Sequence, residues 1–420
     1  MFWVAQRKQA VDASASIETA KHVLLAFGVI LAAAVAAGLA AQKLRVPDVV
    51  VFLLTGILLG PAALGLIQIK TESAVNQIVL IFGSCYILFD GGASLRFDVL
   101  KKVWISIAVL ATAGVLITAF ITAAAAYYVL HVPWLVALLL GAAIASTDPA
   151  TLVPIFRQVK IRDRVAQTVM SESAFNDATG AIMTFAVLGL ATGAAFVPGA
   201  AAAELAKQAG IGIALGAALG YAAAFLIAHE KYSFLTQYAP VVSLMAVIGA
   251  YLGADGMQAS GFMAVFVFGI VLGNKGAFGF RMREAEARRL DEYVATTAFV
   301  MRSFIFILLG AQVDFALMNR YLVGGVIVVA VFMLIARPVT VFLCAAPDRR
   351  ARWSLHELLF MCWTRETGVI PAALAGLLVG MNAPGAQMIA SVTFIAILMT
   401  ILIQATTTRW LAQKLDLLVK

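Results

Sequence analysis

Two stretches hold residues whose types and spacing could bind a cation and a proton inside a membrane. "SESAFNDATG", residues 171–180, carries Glu172 and Asp177 with Asn176 between them. "ASTDPATL", residues 145–152, carries Thr147 and Asp148 directly before a proline. Apolar sequence surrounds both. A carboxyl group at a bilayer centre costs about 2.5–3.5 kcal/mol on insertion scales, so such groups persist where they pair or line an ion path. Carboxylates, hydroxyls and carbonyls are the oxygen ligands of hard cations.

Helix geometry divides the labour within 171–180. At about 100° per residue, Glu172 and Asn176 share one face, Ser173 and Asp177 share another, and the two carboxylates point about 140° apart. Glu172 and Asp177 are therefore not expected to share one ion. One should hold a permanent partner while the other stays free to titrate. Pro149 removes an amide donor and disfavours helix at Asp148. The helix should unwind around Thr147–Asp148, turning carbonyls and a carboxylate toward one cavity; a plain proline kink with a solvated Asp148 is the bland alternative.

The buried arginines need partners. Arg337, in "LIARPVTVF", lies mid-segment and requires a carboxylate, for which Glu172 and Glu366 both qualify. Arg365 and Glu366 are adjacent and diverge on a regular helix. Arg302 lies toward a segment end and is expected to snorkel. Asp90, in "ILFDGGASLRFDVLKK", fits a cytoplasmic funnel and a solvated helix end equally. Asp255 and Glu357 read as loop or end residues, and the glycine-rich run 260–274 as scaffold.

These residues must be positioned by membrane-spanning helices. The chain has 420 residues, of which 63% are hydrophobic and 12% charged, and its mean hydropathy is +0.97. That composition excludes a soluble domain, and the apolar runs do not alternate as barrel strands would. Thirteen apolar segments are predicted, near 22–41, 48–66, 76–92, 103–130, 133–156, 164–194, 207–228, 236–254, 258–274, 294–313, 321–345, 355–381 and 386–408. The polar N-terminal stretch lacks the apolar core of a signal peptide. Lys and Arg number 21 in alternate loops and the C-terminal tail, against 6 in the N-terminal segment and the other loops. This bias puts the C-terminus in the cytoplasm and the N-terminus outside. The net charge of +8 is thus read as topology-setting loop charge, not nucleic-acid binding. Cys85, Cys344 and Cys362 sit in apolar runs, and no His pair has metal-ligand spacing.

The segments fall into two halves of opposite orientation: 1–21 is a polar lead, 22–194 the first repeat, 195–235 a linker helix, 236–413 the second repeat and 414–420 a tail. An offset of about 214 carries Asp148 to about 362, beside "WTRETGV" at 363–369. Interrupted helices at matching places in inverted repeats point to a midplane binding site.

In motif order and spacing, the whole chain resembles the monovalent cation/proton antiporters, specifically the NhaP-type sodium/proton exchanger branch. The carrying motifs are "STDPA" (146–150), "SESAFNDATG" (171–180), "GFMAVFVFGIVLGN" (261–274), "ARPVTV" (336–341) and "RETG" (365–368). The resemblance implies an all-α membrane protein of about thirteen helices, built as inverted repeats with two crossing broken helices. It also implies a homodimer in which a six-helix ion-translocating bundle sits beside a dimerisation domain. Asp177 then looks like the cation- and proton-binding carboxylate, with Asp148, the Thr147 carbonyl and the Ser173 hydroxyl as co-ligands. Glu172 and Arg337 look like a structural ion pair with Asn176 bonded into it. Asp90 matches an accessory acidic position, and Arg365 an arginine of the second crossing helix.

Asn176 stands where electrogenic relatives have a second Asp, which goes with electroneutral exchange in this family. Many exchangers read Gly-Leu-Arg-Gly-Ala where this chain reads "WTRETGV", so Glu366 is an addition and bears on Na+ against K+. The expected activity is exchange of Na+ (or Li+) for protons, with K+/H+ exchange as the alternative. No cofactor is expected beyond the transported ions, since no nucleotide motif is present. Some K+/H+ relatives carry a cytosolic nucleotide-binding domain, so a separate regulatory subunit stays open. A cation channel without proton coupling, and an intramembrane protease using Asp148 and Asp177 as a dyad, are the rivals; the Gly-x-Gly-Asp motif of the latter is absent.

Overall fold

A lipid-solvated chain must close its backbone hydrogen bonds internally, and this one does so with helices. The computed structural model describes residues 2–44, 46–71, 73–193, 198–229 and 234–419. Among them, nine helices are long and apolar enough to cross a membrane, and four shorter apolar helices span Asp48–Leu59, Trp134–Ile144, Gly261–Gly273 and Val369–Gly380. The one β contact among the described residues is an isolated antiparallel bridge between Ile161 and Leu418.

Helix extents differ from the sequence reading in one consistent way. Helices Phe2–Leu44, Phe97–Ala111, Pro198–Ala228 and Glu284–Ala311 each begin several residues or more before the predicted apolar segment. Hydropathy registers the stretch that lies in hydrocarbon, whereas a helix can continue into the polar region. Conversely, the segment predicted for 48–66 is helical only through Leu59, because Gly60 precedes Pro61 and is held extended.

The first helix shows how sequence divides lipid from protein. Ile30, Ala34, Ala37 and Ala41 form a buried stripe at helical spacing, while Leu24, Leu25, Val35 and Leu39 are exposed. Apolar residues on the outer surface suit contact with lipid. Glycine sets the closest contact in the scaffold run: a Cβ at Gly273 would collide with the carbonyl of Ala93. This lets helix Gly261–Gly273 lie against helix Ala74–Ala93.

Two helices are interrupted. The first broken helix comprises Trp134–Ile144 and Pro149–Gln158, with residues 145–148 unwound; the second comprises Leu355–Trp363 and Val369–Gly380, with 364–368 unwound. The break expected at Thr147–Asp148 is therefore present, and its counterpart falls on "TRETG". Helix Asp163–Ala191, here the carboxylate helix, runs unbroken beside them. The arginine helix comprises Leu322–Val331, a π-turn Phe332–Ala336 and Arg337–Cys344. Its irregular turn directly precedes Pro338, which has no amide to donate back along the helix.

Candidate functional site

The two unwound stretches meet main chain to main chain. The amide of Asp148 donates to the carbonyl of Glu366 at 3.0 Å. In return the Asp148 carboxylate caps the second broken helix, its Oδ2 accepting from the Val369 amide at 2.9 Å and from Thr151 Oγ1 at 3.0 Å. Carboxylates suit that position because the first amides of a helix lack internal partners. Gly368 is required there, since a Cβ on it would overlap the Asp148 carboxylate.

The carboxylate helix meets the first break through Asn176 and Gly180, and Ser173 and Asp177 share their helical stripe. Asn176 is the clamp. Its Oδ1 accepts from the Thr147 amide at 3.1 Å and its Nδ2 donates to Thr147 Oγ1 at 2.8 Å. This corrects the expectation that Asn176 joins the Glu172–Arg337 pair. The helical wheel assigns Asn176 a face but not a neighbour, and the unwound chain supplies one. A Cβ at Gly180 would press on Ser146, so the helix lies close along this edge.

Asp177 is buried, and neither carboxylate oxygen has a hydrogen-bond partner among the described residues. Ser173 Oγ and Ser146 Oγ are likewise buried without partners. Asp148 and Asp177 each adjoin one partner of the Thr147–Asn176 clamp. Polar oxygens are thus concentrated beside one unpaired carboxylate, an arrangement that can coordinate a small cation or take up a proton.

Glu172 points the other way and meets Arg337. The guanidinium donates to Oε1 at 2.5 Å and to Oε2 at 2.9 Å, with both residues buried. Arg337 Nε also donates to the Met361 carbonyl at 2.8 Å, and Nη2 reaches the Thr364 carbonyl at 3.5 Å. These carbonyls sit where the second helix breaks and would otherwise lack partners. One arginine therefore ties the carboxylate helix, the arginine helix and the second break together. Of the two carboxylates eligible for Arg337, Glu172 holds it.

Arg365 treats the first break in the same way. It donates to the carbonyl of Ala145, the residue just after the first half-helix, and its guanidinium carbon lies 5.0 Å from the Phe332 ring centre. Each break thus has a cation at its carbonyl end. Glu366 is fully buried, with no partner for either oxygen among the described residues.

Asp90 is buried near the end of helix Ala74–Ala93, which packs on the first broken helix where Gly91 meets Val153. A cavity of about 320 Å³ opens beyond it, lined by Ser94, Val153, Met170, Gln167 and Lys160 among others, but Asp90 is not part of its wall. Arg302 does not snorkel; it pairs with Asp48 at 3.1 Å, 254 positions away in the chain, with both side chains mostly buried. Glu357 lies in the first turn of helix Leu355–Trp363, at a helix end as expected, where it is buried, pairs with Arg164 at 2.7 Å and closes a capping box with Ser354. Sequence reasoning missed Ser146 and Gln404. Ser146 adjoins Thr147 in the polar run before Pro149, and Gln404 is a single amide within an otherwise amide-free stretch; these are the available signals.

The chain is similar to known proteins along most of its length. The transmembrane sodium/hydrogen exchanger family matches residues 29–414. The chain is 32% identical over 343 residues to Na(+)/H(+) antiporter 1 of Methanocaldococcus jannaschii, covering 80% of this chain and 78% of that protein. It is 28% identical over 404 residues to the K(+)/H(+) antiporter NhaP of Alkalimonas amylolytica, covering 94% and 68% respectively. The solved structure of the sodium proton antiporter MjNhaP1 from M. jannaschii at pH 8 superposes with a TM-score of 0.75 at 30% identity, covering 94% of this chain and 99% of that one. With two broken helices crossing beside a buried carboxylate, and with these matches along nearly its full length, the chain belongs to the sodium/hydrogen exchanger family.

Proposed function

We propose that this protein exchanges a monovalent cation for protons by alternating access, taking Na+ (and Li+) one for one, with Asp177 as the shared binding group. The carrying observation is Asp177 itself, a buried carboxylate without a partner among the described residues, on the helix stripe whose Asn176 and Gly180 meet the break at Thr147 and Ser146. Proton and cation compete for it. Ser173 Oγ and the freed carbonyl of Thr147 complete the cation's shell. Asp148 contributes mainly charge, because its Oδ2 is occupied in holding the crossing. Either occupant neutralises Asp177 and lets the bundle move; an empty, charged site crosses poorly.

Stoichiometry follows from position 176. An amide engaged with Thr147 supplies no second exchangeable charge on this helix. The nine long and four short apolar helices are read as thirteen crossings of the cell membrane, with the N-terminus outside and the C-terminus cytoplasmic, in a homodimer. K+/H+ exchange is the second reading. It is favoured by Glu366, buried beside the crossing, and by the NhaP relative named as a K(+)/H(+) antiporter. A protease dyad is disfavoured because Asp148 is committed to the Val369 amide.

Purified protein in proteoliposomes with an internal pH dye tests the proposal. Adding Na+ outside should drive protons out of the lumen, and Li+, K+ and Rb+ rank the selectivity. Cation flux without proton movement would favour a channel.

A further inference from the structure

The Asp177 site leaves a second set of buried oxygens unexplained. Four carboxyl groups at the crossing, Asp148, Glu172, Asp177 and Glu366, are buried alongside two guanidiniums, Arg337 and Arg365. One cation or proton on Asp177 therefore leaves the centre short of positive charge when the other three carboxyls are ionised.

The shortfall falls at Glu366. It is fully buried, and neither of its oxygens nor the Thr367 hydroxyl has a partner among the described residues. Gln404 is also fully buried, with neither amide atom bonded. Its position is fixed from both sides. The Thr367 amide donates to Thr400 Oγ1 at 3.1 Å, and Trp363 Nε1 donates to Thr407 Oγ1 at 2.8 Å. Thr400, Gln404 and Thr407 follow at helical spacing, so Gln404 faces the unwound residues between Trp363 and Thr367. A π-turn at Thr400–Ala405 lies there too. Burying a carboxylate, a hydroxyl and an amide around one helix break, each without a hydrogen-bond partner, is costly unless a ligand satisfies them.

We propose that the carboxylate of Glu366, Thr367 Oγ1 and Gln404 Oε1 form a second monovalent-cation site on the second broken helix, separate from Asp177, and that this oxygen set tunes which alkali cation is taken. The site can be tested by binding alone; its effect on selectivity rests on the antiport reading above.

The test uses the purified full chain and counts thallium(I) bound at equilibrium. Asp177→Asn should still bind one ion per chain, and Asp177→Asn with Glu366→Gln should bind none. Thr367→Val, which removes one oxygen at nearly constant volume, should weaken the remaining site about tenfold in the Asp177→Asn background, so the proposal stays testable if Glu366→Gln does not fold. No binding to folded Asp177→Asn, or a count indifferent to both Glu366→Gln and Thr367→Val, would overturn the site. In proteoliposomes, Glu366→Gln should change the Na+ to K+ rate ratio at least tenfold; an unchanged ratio would overturn the selectivity role. Absence of exchange in the wild-type protein would overturn the antiport reading instead, with the thallium count still deciding the second site.

Discussion

The amide of Asp148 donates to the carbonyl of Glu366 at 3.0 Å, joining the two interrupted helices where each has lost its own hydrogen bonds. Asp148 caps the helix starting at Val369 and Arg365 reaches the carbonyl of Ala145, so the breaks serve each other, while Arg337 of the arginine helix reaches the carbonyls of Met361 and Thr364. Asp177 stands beside this junction without taking part in its bonding.

Gly368→Ala tests the junction. The added methyl overlaps the Asp148 carboxylate, so Asp148 must leave the Val369 amide or the chains must separate. Exchange in proteoliposomes should fall at least tenfold, with a lower midpoint of thermal unfolding in detergent. Unaltered exchange and midpoint would show that the cap is dispensable.

Glu172→Ala should act on stability. It leaves Arg337 buried without its counter-charge, and breaking a buried pair costs about 3–5 kcal/mol. Thermal unfolding should show a large loss, which Glu172→Ala with Arg337→Met should partly recover. A double variant no more stable than the single one would argue against the pair as the cause.

Asn176→Asp addresses stoichiometry. Asp can still accept from the Thr147 amide and hydroxyl, so the clamp has a route to survive, while the helix gains a second ionisable group. Exchange should then respond to an imposed membrane potential, whereas wild-type exchange should not. A wild type already sensitive to potential would contradict the one-for-one reading.

Asp348 gives a pH test outside the membrane. Burial alone would push its carboxyl up, but the Ser106 hydroxyl at 2.6 Å and the amides of Arg350 and Ala351 outweigh that and hold it below the usual carboxylate range. A depressed folded value adds stability above the unfolded value of about 3.9 and loses it as pH falls through the folded value. The loop between the arginine helix and the second broken helix should therefore loosen only below about pH 4. Hydrogen exchange at residues 345–354 measures this; in Asp348→Asn the loosening should already be present at neutral pH.

Much of the site was legible because particular residues admit few solutions. Pro149 cannot continue a helix through Asp148, and a buried Arg337 must find a carboxylate on another helix. The opposed directions of Glu172 and Asp177 follow from helical pitch alone. Partners across the bundle were less legible. Asn176 finds Thr147 because the first helix unwinds beside it, and Arg302 finds Asp48 because helix Asp48–Leu59 packs along helix Glu284–Ala311. Hydropathy marks the apolar stretch of each helix and is silent on its polar extension, so the helices starting at Phe2, Phe97, Pro198 and Glu284 begin before their apolar segments. Gln404 is a lone amide in an apolar run, and only packing brings it to the second break.

The measurement closest to the central claim is Na+-driven proton movement in proteoliposomes bearing Asp177→Asn. This account predicts that the variant folds and inserts as the wild type does and exchanges nothing, because a carboxamide at that position neither takes up the proton nor balances the cation's charge. Proton-coupled exchange at the wild-type rate would contradict it and move the site to another carboxylate.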